Sequence, residues 1–345
     1  MKNLLITGDS LSYNRYGYDE TPRIDAMDCH IGMNSWSFRI RKAFIASAKG
    51  FKFGSEINFK EKCVSGLGEG TVIDDAIFGE KVATIFPENG EVNFEAESDT
   101  GKIVLYFQCR RSNYCRFNVY VDGVLSAECV DTYSKSKVHF GFGLETVELE
   151  CDKTKKVHRI KICDFAHTEL EPYVTLAGVS CEPRYAYVTG QGGRTAKFIL
   201  YHFEDRVLKY SPDMVILTLG ANDIVYCSEK EYETNMREIF SKIKENFPDC
   251  VIYTLTIPPS EKVLDEMRGI QIKTQKDLDD IICKYNGVLL SVSKEFGAEC
   301  IDTQKIFEGI SPKEWRFDNI HFSNKGNDLV FDKVCSIIKE NCFGF

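Results

Sequence analysis

Three side chains in this sequence are of the types that nucleophilic acyl transfer needs, and they lie at opposite ends of the chain. Ser10 follows the apolar run Leu4-Leu5-Ile6 in Gly8-Asp9-Ser10, while Asp318 and His321 stand three residues apart in Phe317-Asp318-Asn319-Ile320-His321. A serine hydroxyl at a strand terminus attacks a carbonyl once a histidine takes its proton. A carboxylate on the other ring nitrogen holds the imidazole in the accepting tautomer. Such chemistry requires a fold that carries residue 10 to residue 321. His321 is one of 6 histidines. His139 and His158 sit in two-residue alternation and read as solvated or structural, and His30, His167 and His202 have no acid at a suggestive spacing. No Gly-x-Ser-x-Gly elbow occurs, which sets aside the α/β-hydrolase route to the same three groups.

Two hydrophobic periods alternate along the chain and define what must position these residues. Residues 1–55 and 183–345 alternate strand-like and helix-like runs. Strand patterns at 213–219 and 250–255 flank a helical pattern over 231–247, with Met236, Ile239, Phe240, Ile243 and Phe247 on one face. Further helices are expected over 36–48, 276–295 and 327–339. This rhythm predicts an α/β fold with a doubly wound, mainly parallel sheet, whose ligands sit beyond the carboxyl ends of the strands. From residue 92 to about 179 the period is two, with a turn at Asp122-Gly123, which predicts a β-sandwich. The expected organisation is a hydrolase-like domain in two parts, 1–55 and 183–345, interrupted by an inserted β-sandwich over 56–182.

Composition narrows the partners. The 345 residues exceed the usual single-core size, and a net charge of −9 repels phosphate backbones and anionic lipid. Neither nucleic acid nor membrane is expected as a partner. The 14 cysteines are scattered without a CxxC pair, so they read as reduced, buried thiols and not as disulfides or a zinc site. With an N-terminus that runs at once into the Ser10 turn, leaving no room for a signal peptide, the expected location is cytoplasmic. No metal and no cofactor are expected, and homo-oligomerisation is left open.

Two more blocks lie between the serine and the histidine, both at expected strand ends: Thr189-Gly190-Gln191-Gly192-Gly193-Arg194-Thr195 and Leu219-Gly220-Ala221-Asn222-Asp223. The ordered series resembles the SGNH hydrolases, also called GDSL esterases, whose four blocks supply a serine, a glycine, an asparagine and a histidine. The resemblance covers the α/β portion only. It implies Ser10 as nucleophile, His321 as base and Asp318 as its acidic partner, with an oxyanion hole formed by the backbone N–H groups of Ser10 and Gly193 and the side chain of Asn222. Gly190 and Gly192 remain alternatives to Gly193, and the loop Ser65-Gly66-Leu67-Gly68-Glu69-Gly70 is a competing glycine-rich segment. Donors aimed at the developing oxyanion lower the barrier by about 3–4 kcal/mol each.

The sequence departs from the family pattern in two places. Residues 12–33 form a long polar and aromatic stretch, read as one wall of the substrate cleft. The β-rich insertion resembles the jelly-roll domain that accompanies some bacterial carbohydrate acetylesterases of the superfamily. These features imply a serine esterase that removes a short acyl group, acetyl above all, from a small-molecule or oligosaccharide ester. A lipid-type esterase or thioesterase is the alternative among enzymes. Outside acyl transfer stand a catalytically silent carbohydrate-binding protein and a metal-dependent phosphoesterase using Asp9, Asn222 and His321.

Overall fold

The computed structural model describes residues 1–13, 35–59, 64–65, 83–85, 90–109, 115–133, 144–167, 174–262, 266–267 and 270–342. They divide into two compact units, one built from 1–13, 35–44 and 185–342, the other from 45–184.

In the first unit, five strands rich in β-branched and aliphatic residues form one sheet. Across it the order is Tyr185–Val188, Asn3–Gly8, Met214–Thr218, Val251–Leu255 and Glu299–Ile301, and every neighbouring pair is parallel. The first strand thus lies between the second and third, the 2-1-3-4-5 order of flavodoxin-like sheets. The order in which strands are added reverses between Asn3–Gly8 and Met214–Thr218, and such folds bind ligands beyond the carboxyl ends of the strands at that point. Leu5, Val215, Leu217 and Ile252 enter an apolar cluster with Phe203, Tyr232, Ile239, Phe240 and Ile282. The alternate positions Leu4, Ile6, Met214 and Ile216 are equally buried, so both faces are covered, as a parallel sheet requires.

Helix limits follow local chemistry. Glu229–Asn246 begins at a capping box: Ser228 Oγ accepts from the Glu231 N–H at 3.3 Å, and Glu231 Oε2 accepts from the Ser228 N–H at 2.8 Å. Gln275–Glu295 begins the same way with Thr274 and Asp277. Each cap is worth about 1 kcal/mol and starts its helix ahead of the first apolar residue, which is why periodicity alone places both starts late. Phe247, expected inside the first of these helices, is instead its cap with φ −137° and ψ 77°, because Pro248 bars the residue before it from helical angles. Trp36–Ala46 and Asn324–Cys342 complete the set that bears on the site.

The second unit holds two antiparallel sheets. One runs Glu91–Glu97, Val157–His167, Cys115–Val121, Val124–Asp131. In the other, Val174–Ser180 lies between Ala83–Ile85 and Lys102–Gln108, with Leu144–Glu150 at one edge. Val92, Phe94, Phe117, Val119 and Ile160 of the first sheet share one apolar cluster with Ile103, Leu105, Phe107 and Leu176 of the second. Asp122 and Gly123, at φ +51° and +87°, make the two-residue turn that joins the Cys115–Val121 and Val124–Asp131 strands.

The eleven cysteines whose side chains are described are free. Burial pushes the Cys115 thiol up to about 11 and that of Cys250 up to about 12, which keeps both unreactive at neutral pH. No helix among the described residues is long and apolar enough to cross a membrane.

Candidate active site

The first strand ends at Gly8, whose φ of +140° and close approach leave no room for a side chain: a Cβ there would collide with the Thr218 carbonyl. The Asp9 N–H donates to that carbonyl at 2.9 Å, and Ser10 opens the single helical turn Ser10–Tyr13. Asp9 is wholly buried and serves its own loop, with Oδ1 accepting from the Leu11 N–H at 2.9 Å and its carbonyl accepting from Ser12 Oγ at 2.9 Å.

At the other end of the chain, the Phe317 N–H donates to the His321 carbonyl at 2.8 Å and closes a loop. Inside it, Asp318 Oδ1 accepts from the N–H groups of Ile320 at 2.9 Å and His321 at 2.8 Å. These bonds leave Oδ2 facing the ring, 2.7 Å from His321 Nδ1, and His321 Nε2 lies 2.8 Å from Ser10 Oγ. Burial alone would raise the Asp318 carboxyl. The His321 hydrogen bond and charge, with the two backbone N–H groups, outweigh it and hold the carboxyl down at about 2. An ionised Asp318 fixes the proton on Nδ1, so Nε2 accepts from the Ser10 hydroxyl.

Folding brings these residues together through a brace that has no local signature. Trp36 Nε1 donates to the Leu11 carbonyl at 2.8 Å, and its backbone N–H donates to Asn327 Oδ1 at 2.9 Å. Asn327 Nδ2 in turn donates to the carbonyls of Phe322 at 3.3 Å and Ser323 at 2.9 Å. Behind the histidine loop, Trp315 and Phe322 are buried against Phe307, the Trp315 and Phe307 rings stacked at 3.9 Å, so these aromatics pack the core.

The two middle blocks flank Ser10. Gly190 packs so tightly under Ser12 that a Cβ would collide with its hydroxyl; a Cβ on Gly192 would lie 3.9 Å from the Ser10 Cβ; Gly193 turns the loop at φ +73° in open space. Asn222 Nδ2 donates to the Arg194 carbonyl at 3.1 Å, which spends one of its two N–H bonds on orientation. Ser10, Asn222 and His321 share a cavity of about 200 Å³, walled by Ile224, Val225, Ile257, Ile272, Leu278 and Ile282. That apolar wall, like the bonds of Trp36 and Asn327, escaped the sequence reading. Of the expected cleft wall over 12–33, residues 14–33 lie outside the described residues, as does residue 66–70 of the competing glycine loop. Among the described residues no group of three or more His, Cys, Asp or Glu is placed to hold a metal ion.

Residues 170–329 match the family model of the GDSL-like lipase/acylhydrolase family. The chain carries a domain of that family. The matched stretch contains Gly193, Asn222, Asp318 and His321, while Ser10 lies outside it and reaches the acylhydrolase domain through the parallel pairing of the first strand. A GDSL esterase/lipase of Arabidopsis thaliana is 24% identical over 173 residues, 44% of this chain and 72% of the relative. An isoamyl acetate-hydrolyzing esterase 1 homolog of Bos taurus is 23% identical over 142 residues, 38% of this chain and 57% of the relative, so the match spans less than two thirds of that protein. Among solved structures, a peptidoglycan O-acetylesterase is 14% identical with a TM-score of 0.44, covering 99% of this chain and 91% of its own. An acetyl xylan esterase is 21% identical at a TM-score of 0.37, covering 45% of this chain and 81% of its own. The family expected from the four blocks is the one found for the acylhydrolase domain.

Proposed function

We propose that the chain is a serine carboxylic ester hydrolase. The observation that carries this reading is the continuous hydrogen-bonded line from Ser10 Oγ to His321 Nε2 at 2.8 Å and from His321 Nδ1 to Asp318 Oδ2 at 2.7 Å. Ser10 Oγ attacks the ester carbonyl carbon as its proton passes to His321 Nε2, and the charged ring is steadied by Asp318. Negative charge gathers on the carbonyl oxygen, which the free N–H of Asn222 and the backbone N–H groups of Ser10 and Gly193 receive. The tetrahedral centre collapses, the alcohol leaves with the proton from His321, and an acyl-serine remains. Water, deprotonated by the same ring, attacks that acyl group and releases the acid with Ser10 restored.

The finer reading is removal of a short acyl group, acetyl first, from a carbohydrate. The name of the Bos taurus relative, which refers to an acetate ester, supports the acetyl half. Two antiparallel sheets on one core, read as an inserted jelly-roll-like sandwich, support the carbohydrate half. A second reading, a lipid-type esterase or thioesterase, is favoured by the apolar wall beside Ser10. Each methylene buried there adds about 0.8 kcal/mol, close to fourfold in kcat/KM.

One experiment tests both levels. Turnover of p-nitrophenyl acetate, butyrate and octanoate is measured beside acetate release from acetylated oligosaccharides, for the natural chain and for Ser10→Ala. The substitution should lower kcat by about 10⁴-fold or more. An unchanged rate ends the serine mechanism, and no turnover by the natural chain leaves the silent binding protein. Octanoate turned over faster than acetate decides for the lipid-type reading.

A further inference from the structure

Asp223 is fully buried and touches none of the groups that would react, yet its carboxylate stands between the two loops that carry the oxyanion donors. The Ala196 N–H donates to both of its oxygens, at 2.9 Å to Oδ1 and 3.2 Å to Oδ2. The Gly220 N–H donates to Oδ2 at 3.1 Å, and Cys227 Sγ lies 3.6 Å from Oδ1. The bond to Ala196 therefore holds the loop of Gly193. The bond to Gly220 closes the tight turn, with Gly220 at φ +122°, that presents Asn222. One further bond crosses between the same loops, from Asn222 Nδ2 to the Arg194 carbonyl. A buried carboxylate is retained here at the expense of desolvation, and only an acceptor-only group takes N–H donors on both oxygens.

We propose that Asp223 is a positioning residue for ester hydrolysis: its carboxylate sets the separation between the Gly193 N–H and the Asn222 amide, and so the fit of the oxyanion hole. The inference rests on the esterase reading above. Two donors are useful only where the developing oxyanion can reach both, and a shift of about 1 Å in either loses up to 100-fold in rate. Asp223→Asn replaces one acceptor oxygen with an NH₂ that faces an N–H, so the loops part. Ala196→Pro removes the crossing donor from the other side, at the first position of the helix Ala196–Tyr201, where proline is tolerated.

The test is a double-mutant cycle with Asn222→Ala, read as kcat and KM on a p-nitrophenyl ester, with thermal melting of each variant. Asp223→Asn is expected to lower kcat by about 10- to 100-fold with KM within about twofold, and to add less than about threefold once Asn222 is already alanine. Ala196→Pro should repeat that pattern, which keeps the test decisive should Asp223→Asn melt early. Losses that multiply in full on the Asn222→Ala background, or a kcat unchanged in both variants, overturn the proposal. Absence of Ser10-dependent turnover in the natural chain is a different result, because it removes the esterase reading itself.

Discussion

Three carboxyl groups of the acylhydrolase domain share a residue type and differ in charge because their surroundings differ. Asp318, where hydrogen bonds to His321 and two N–H groups outweigh burial, is held at about 2 and stays ionised. Asp223 is pushed up to about 6, chiefly by burial, and Asp9 up to about 8, by burial and then by the Asp223 charge against a backbone hydrogen bond from Leu11. Asp9 thus keeps its proton at neutral pH in the folded chain and loses it in the unfolded one. A raised carboxyl contributes stability that is fully present below its unfolded value of 3.8 and is lost as pH rises through about 8. Asp9→Asn keeps an acceptor for the Leu11 N–H and has no proton to lose. Its melting temperature should therefore gain on that of the natural chain from about pH 4 to about pH 8 and run parallel above, as followed by circular dichroism. A constant gap across that range would show that Asp9 titrates as an ordinary surface carboxyl. That Ser10, His321 and Asp318 would meet was legible in the sequence, because a serine, a histidine and an aspartate at these spacings in ordered blocks are uncommon, and one hydrogen-bonded line joins them. A loop Asp such as Asp223 is expected to hydrogen-bond its own turn, as it does at the Gly220 N–H, whereas its bond to the Ala196 N–H reaches a distant segment that no spacing reveals.

At the level of elements, strands and helices announced themselves by period, whereas the contacts that aim them did not. The four-residue turn after Gly8 and the loop of His321 meet only because Trp36 and Asn327, both fully buried, bond to Leu11 on one side and to Phe322 and Ser323 on the other. Neither residue belongs to a motif, and their partners are backbone atoms from distant segments, so no spacing rule reveals them. Asn327→Leu preserves side-chain volume while leaving the buried Trp36 backbone N–H without its acceptor and removing the side-chain donor to the Phe322 and Ser323 carbonyls, of which Ser323 keeps the backbone N–H of residue 327. It should cost about 1–3 kcal/mol in urea unfolding, the worth of one orphaned buried group. Because the brace ends next to Ser10 and His321, kcat should fall as well, by about tenfold. A stability change below about 0.5 kcal/mol would mean that the brace is incidental.

On the scale of the whole molecule, a chain of 345 residues buries its apolar surface in more than one place, and the switch from a helical period to a two-residue period marks where one core gives way to another. The acylhydrolase family model begins at residue 170, past most of the β-textured stretch, so sequence comparison sees the domain without its first strand. Pairing of Asn3–Gly8 between Tyr185–Val188 and Met214–Thr218 restores it. The β-textured unit has its own apolar cluster, in which Phe94 is fully buried and meets Phe59 edge-on at 5.3 Å. The parallel sheet has another, containing Phe240. Phe94→Ala removes a buried ring and should cost about 3–5 kcal/mol, equivalent to roughly 10 °C for a unit of this size. If each cluster supports its own cooperative transition, calorimetry of Phe94→Ala will show one transition displaced downward and the other, the one lowered by Phe240→Ala, left where it was. A single transition displaced as a whole by either substitution would mean that the two cores melt as one.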